Sequence, residues 1–238
     1  TRDDLAADAA FSGRYAPVTA YGLRVLNTPS AGHGARVSDS AALDVTGDCE
    51  WVFHAAIDDW SPAGSQRTPI TRGNADPNRA WFFRFRGNDI QLVWYPTGSA
   101  ASSRSALSTA PAPFAAWEEG WVRVTLDVDN GSGGSDVAFY TSTDGTNWTQ
   151  LGSVVTVAGA TTGPPAINAG IVVGQSQVGG GETNAVIFGF EFRNGIAGTL
   201  VAQVDFRTGW PRYSDPAGNS WTTDNVAHVG WTTWPIPT

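Results

Sequence analysis

Between Trp121 and Leu151 the chain reads WVRVTLDVDNGSGGSDVAFYTSTDGTNWTQL, a stretch that few folds can accommodate. Val122, Val124, Leu126 and Val128 alternate with Arg123, Thr125 and Asp127. After a Gly/Ser turn, Val137, Phe139 and Thr141 alternate with Asp136, Ala138, Tyr140 and Ser142. A side-chain period of two with one apolar face predicts an antiparallel hairpin, packed on one side and wetted on the other. The second strand runs into a tight Asp144-Gly145 turn closed by Trp148, a structural turn rather than a repeat of blades, since it occurs once.

The pattern continues along the chain. Candidate strands are 23–26, 35–38, 49–57, 68–71, 81–86, 90–95, 121–128, 137–141, 149–157, 169–174, 185–193 and 200–206, with short closing segments at 220–223 and 227–230. Gly, Asn-Gly and Asp-Gly turns separate them and no segment keeps a helical period, so the expected fold is an all-β antiparallel sandwich. At 238 residues it fits one domain, residues 21–238. Its expected core holds Trp51, Phe53, Ile57, Trp81, Phe83, Phe85, Leu92, Trp94, Phe188, Phe190 and Phe192. Residues 1–20 read differently. Positions 2–10 suit a short acidic helix that Ala16-Pro17 interrupts, giving an arm, a docking segment or a disordered tail.

Charge narrows the partners. The net charge is −8 and the sequence contains no Lys, so there is no basic stripe of the kind that binds nucleic acid. The single cysteine, Cys49, rules out an internal disulfide and sits in an apolar strand as a buried thiol. The first residues lack the basic and apolar regions of a signal peptide, and no apolar run approaches the ~18 residues of a membrane span. The expectation is a chain without membrane insertion, made in the cytosol and retained there or released by a route other than secretion.

The sequence carries few of the patterns that catalysis needs. The five Glu (Glu50, Glu118, Glu119, Glu182 and Glu191) do not form the Glu-x-Asp-x-x-Glu strand motif that sets two carboxylates on one face of jelly-roll glycosidases. His33, His54 and His228 are isolated, and the alternation of His54 with Val52 reads as a packed or hydrogen-bonded core histidine. The sequence therefore reads as non-enzymatic. Two features could bind a ligand. Asp58-Asp59-Trp60 places two acids beside an aromatic at a loop mouth, where they could hold Ca²⁺ or stack a sugar. They could equally cap a turn and pack. The strand faces turned away from the core carry Phe82, Arg84, Arg86, Gln91, Tyr95, Arg123, Thr125, Asp127, Glu191 and Arg193. Such a face suits sugar recognition by bidentate hydrogen bonds and stacking, and also suits an ordinary solvated surface with cross-strand ion pairs.

Several longer phrases carry a family likeness: Ser40 to Asp48 (SAALDVTGD), Ile57 to Trp60 (IDDW), Trp121 to Asn130, Phe139 to Gly145, Trp148 to Gly152, Phe192 to Thr199 (FRNGIAGT) and Asp215 to Trp221 (DPAGNSW). In this order, over residues 23–230, the chain resembles the concanavalin-A-like, laminin-G-like domains of minor tail proteins from bacteriophages of actinobacteria. The resemblance implies a two-sheet antiparallel jelly roll with a structural role in the virion. It also implies assembly in the bacterial cytoplasm with release by lysis, other virion proteins as partners, and contact with host surface glycans. The expected ligand contacts are Asp58, Asp59, Trp60, Arg84, Arg86, Tyr95 and Arg123. Homo-oligomer contacts are expected at the apolar ends around Phe11 and Trp231 to Trp234. The alternatives are a decoration or cementing protein with no glycan binding, and a glycan-degrading enzyme, which would need two carboxylates about 5–9.5 Å apart.

Overall fold

The computed structural model describes residues 15–25, 34–62, 66–73, 75–174, 184–207, 213–223 and 229–237. Their strands, numbered along the chain, form two antiparallel sheets. The first sheet runs in the order Thr149–Gln150 (β10), Gly134–Ser142 (β9), Glu119–Asp127 (β8), Cys49–Ile57 (β3), Ala185–Asn194 (β13), Tyr15–Val25 (β1) and Val229–Pro237 (β17). Val155–Ala158 (β11) also pairs with β9, and Thr199–Asp205 (β14) with β13. The second sheet runs Tyr213–Ser214 (β15), Ser220–Thr223 (β16), Ala35–Val37 (β2), Ile171–Val173 (β12), Gln66–Arg72 (β4), Trp81–Arg86 (β5), Asp89–Trp94 (β6) and Arg104–Leu107 (β7). Sequence-distant strands lie side by side, β3 between β8 and β13, as in a jelly-roll sandwich.

The hairpin that dominates the sequence is β8–β9, with Val124 opposite Phe139 and Leu126 opposite Val137. The expected strand 149–157 is two strands, divided around Gly152, whose φ of +71° no β-branched residue would hold easily. At the ends the expectation is corrected. Tyr15–Val25 is one long strand paired with Val229–Pro237 from Tyr15 opposite Pro237 to Leu23 opposite Val229, so a boundary at residue 20 would cut a strand. The expected helix at 2–10 and Phe11 lie outside the described residues.

The core is built from rings of the two facing sheets. Trp51 of β3 meets Trp81 of β5 edge-on at 5.3 Å and Phe192 of β13 at 5.6 Å, while Phe53 approaches Phe83 at 6.0 Å. Cys49 is fully buried, and burial, aided by the charge of Asp48, pushes its thiol pKa well up. One aromatic departs from the expected core. The register between β3 and β13 slips between Ile187 and Gly189, a β-bulge. The extra residue breaks the period of two, and Phe188 lies in a separate buried cluster with Ala56, Trp117 and Val186.

A buried cation ties the sheets to their loops. Arg72 on β4 has no exposed surface. Its Nη1 donates to the Leu43 carbonyl at 2.6 Å, its Nη2 to Asp44 Oδ1 at 2.7 Å and Asp39 Oδ1 at 3.2 Å, and its Nε to the Ala169 carbonyl at 3.0 Å. The Asp44 carboxylate also accepts the Ile167 N–H at 3.1 Å, so one ion pair fixes two loops at once.

Candidate binding site on the outer face of the first sheet

The strand register lays out the face of the first sheet that points away from the core. One row runs Asp205, Gly189, His54, Trp121, Ser142 across β14, β13, β3, β8 and β9. The next runs Gln203, Glu191, Val52, Arg123, Tyr140. The bulge that displaces Phe188 brings its ring beside the first row, 4.7 Å from the His54 ring. Here the sheet opens a cavity of about 200 Å³, lined by His54, Trp121, Phe188, Glu191, Gln203, Asp205 and Arg207 among others.

His54 is the hub. Its ring stacks on Trp121, and its Nε2 lies 2.8 Å from Glu119 Oε1. Burial pulls its pKa down to about 4, and the positive Arg207 adds to this, against the opposing pull of Glu119. The ring is therefore neutral at pH 7, and the contact with Glu119 assigns its proton to Nε2, which donates to the carboxylate. Arg207 donates to the same Glu119 oxygen, and its guanidinium carbon lies 4.6 Å from the Phe188 ring. Burial alone would raise the pKa of Glu119, but bonds from His54 and Arg207 outweigh it and hold the carboxylate below its usual range. On the other wall, Glu191 accepts from Gln203 Nε2 at 3.0 Å and from Arg193 Nη2 at 2.6 Å. The result is an aromatic floor with polar groups whose orientations are already fixed.

The structure scatters the residues singled out in the sequence. Trp60 is 2% exposed; it packs edge-on against Phe85 at 5.3 Å and donates its Nε1–H to the Glu118 carbonyl at 3.2 Å. It is a core residue, closed to sugar stacking, because the chain after β3 turns inward. Asp59 accepts the Ser61 N–H at 2.9 Å, as a turn-capping aspartate does. Asp58 is half-buried and accepts from Asn184 at 2.9 Å, with burial raising its pKa. Among the described residues no group of three or more His, Cys, Asp or Glu side chains converges in a way that could hold a metal ion.

Arg84 and Arg86 stand on β5 of the second sheet and Tyr95 directly follows its β6, on the opposite side of the sandwich from Arg123. Gln91 and Tyr95, expected to face outward in the open, are buried at 3% and 7% exposure. Neighbours cover them. Arg84 donates to Gln91 at 2.5 Å and to Gln66, and lies over Phe82, which approaches Tyr95 at 6.1 Å. Burial lowers the pKa of Arg84, with the charge of Arg86 adding to the effect. Arg86 is exposed, opposite Asp89. Of the seven expected ligand contacts, only Arg123 lies on the face that carries the cavity, while Glu191, read in the sequence as outward-facing, lines the cavity itself. His54, Glu119, Trp121, Gln203 and Arg207 are not among the contacts that the sequence predicts. Trp121 had a legible signal, since it shares the alternation of Arg123, whereas Arg207 and Glu119 meet His54 only through the tertiary fold.

No protein-family model and no curated protein matches this sequence. Among solved structures, the chain is similar to a heptameric SAP-like pentraxin from Limulus polyphemus, with a TM-score of 0.49, 8% identity, and 74% of this chain and 76% of that one covered. It is also similar to the CBM40 of the Ruminococcus gnavus IT-sialidase bound to α2,3 sialyllactose, with a TM-score of 0.46, 12% identity, and 71% and 89% covered. A third is the binding domain of botulinum neurotoxin DC in complex with SialylT, with a TM-score of 0.44, 13% identity, 81% of this chain and 45% of that chain covered. Similarities at this level carry no argument about function, which has to be argued from the site.

Proposed function

We propose that this chain is a lectin-like glycan-binding module whose sugar face is the outer side of the first sheet around Trp121. The observation that carries this reading is the Trp121–His54 stack at the edge of the cavity walled by Glu191, Gln203, Asp205 and Arg207. A sugar ring offers an apolar C–H face and a rim of hydroxyls. It is held by a flat aromatic surface together with fixed donors and acceptors, both of which this face supplies. Beside the cavity, Glu119 is held below its usual range by His54 and Arg207, the opposite of what a glycosidase acid needs. No metal or cofactor enters the reading.

The phrases from Ser40 to Trp221 extend it to a place of action. The module is a minor tail-type virion protein of an actinobacterial phage, assembled in the host cytoplasm beside other virion proteins, and its exposed face meets the host cell surface. The test is binding of the labelled protein to intact actinobacterial cells and isolated cell wall, with free sugars as competitors. Saturable, sugar-competed binding supports the reading. Absence of binding by a folded protein overturns it in favour of a purely structural virion part.

A further inference from the structure

Arg123 stands next to Trp121 in the alternation of β8, between Val52 of β3 and Tyr140 of β9. Its guanidinium carbon lies 4.2 Å from the centre of the Tyr140 ring and 4.8 Å from that of Trp148. The turn holding Trp148 is tightly fixed. Asp144 Oδ1 accepts the N–H groups of Asn147 at 2.7 Å and Thr146 at 2.8 Å, Oδ2 accepts from Asn147 Nδ2 at 2.7 Å, and the Ser142 hydroxyl donates at 2.9 Å. Those bonds, the Asn147 N–H foremost, hold the Asp144 carboxyl far below its usual range. Tyr140 and Trp148 thus give the guanidinium a preset aromatic seat, a clamp of two rings.

What the clamp lacks is an acceptor. Among the described residues Arg123 makes no ion pair, and its Nε is buried without a hydrogen-bond partner. By contrast, Arg72, Arg193 and Arg207 are each paired with a carboxylate. A planar cation stacked on aromatic faces, with its donor fork unclaimed, is pre-organised for bidentate binding of an oxyanion. The chain as a whole carries a net charge of −8, so attraction of an anion to this face has to be local.

We infer that Arg123 is an oxyanion subsite of the sugar face, taking a carboxylate, phosphate or sulfate carried by the glycan whose ring lies against Trp121. This rests on the glycan-binding reading and adds the chemical class of the ligand.

The test follows the arginine Nε–H and tryptophan indole signals by ¹H–¹⁵N NMR while inorganic phosphate, sulfate or acetate is added to the whole protein. The inference expects saturable shifts at Arg123 and Trp148, with Arg72 unmoved as an internal control. Arg123→Gln should abolish the Trp148 response. Arg123→Lys should weaken it by roughly tenfold or more, since an ammonium keeps the charge and loses the fork. The strongest of the three anions identifies the substituent. Absence of saturation, or an unchanged Trp148 response in Arg123→Gln, overturns the subsite and leaves the sugar face standing if sugar-competed wall binding holds. Saturable anion binding without any sugar-competed wall binding overturns the assignment to a glycan.

Discussion

The imidazole of His54 lies face to face with the indole of Trp121, ring centroids 3.4 Å apart and planes 11° from parallel. The stack buries a titratable group on the side of the sheet facing away from the core, which makes the face sensitive to acid. An unfolded His54 takes up a proton near its ordinary pKa of 6.5, whereas in the folded chain burial defers this to about 4. Between those values the unfolded state binds more protons, so folding stability falls as pH drops from 6.5 to 4 and then levels off for this group. The loss amounts to about 3 kcal/mol. Glu119, its pKa held low, adds loss in the same direction as it protonates. Urea unfolding across this range should show the slope, and His54→Gln should flatten it. An equal slope in the variant would contradict the assignment of a neutral, buried His54.

Removing the buried cation should be severe. Arg72→Met takes away one partner and leaves Asp44 and Asp39 with their loops unanchored, so a loss of about 3–5 kcal/mol is expected in chemical denaturation. A loss below about 1 kcal/mol would mean that water replaces the guanidinium without cost to the loops.

Trp60 separates packing from recognition. Trp60→Ala opens a cavity between Phe85 and Phe114 and should cost about 3–5 kcal/mol. At temperatures where the variant remains folded, sugar-competed binding should match the wild type. A selective loss of sugar binding at unchanged stability would restore Trp60 to the ligand contacts.

Gly145 supports the face from behind. Its φ is +73°, and a Cβ there would sit 2.8 Å from Trp121 Nε1. Gly145→Ala therefore strains the turn and pushes the indole. Roughly 1–2 kcal/mol of stability should be lost, together with a larger proportional drop in sugar binding. Unaltered binding would show that the indole position does not matter to the ligand.

The strands of the sandwich were legible because alternation is a local signal: β3, β5, β8, β9 and β13 can all be read from their residues. The bulge at Phe188 was hidden because a single inserted residue leaves Phe188, Phe190 and Phe192 looking like one regular face. Trp60 misled for a related reason. A tryptophan after a strand looks exposed until the path of the following loop is known. Arg84 points away from the core as its alternation predicts, but Gln66, which occupies one of its donors, comes from another strand. The His54–Glu119–Arg207 cluster joins residues 65 and 153 positions away from His54, a separation over which sequence pattern carries no information.

The most direct test of the central claim compares Trp121→Ala on the outer face of the first sheet with Arg84→Gln on the second, using sugar-competed binding to actinobacterial cell wall, with each variant first shown to be folded. The account predicts that Trp121→Ala loses binding by about tenfold or more, the scale of one lost stacking contact, while Arg84→Gln binds as the wild type does. Retained binding in Trp121→Ala, or loss in Arg84→Gln alone, would contradict it.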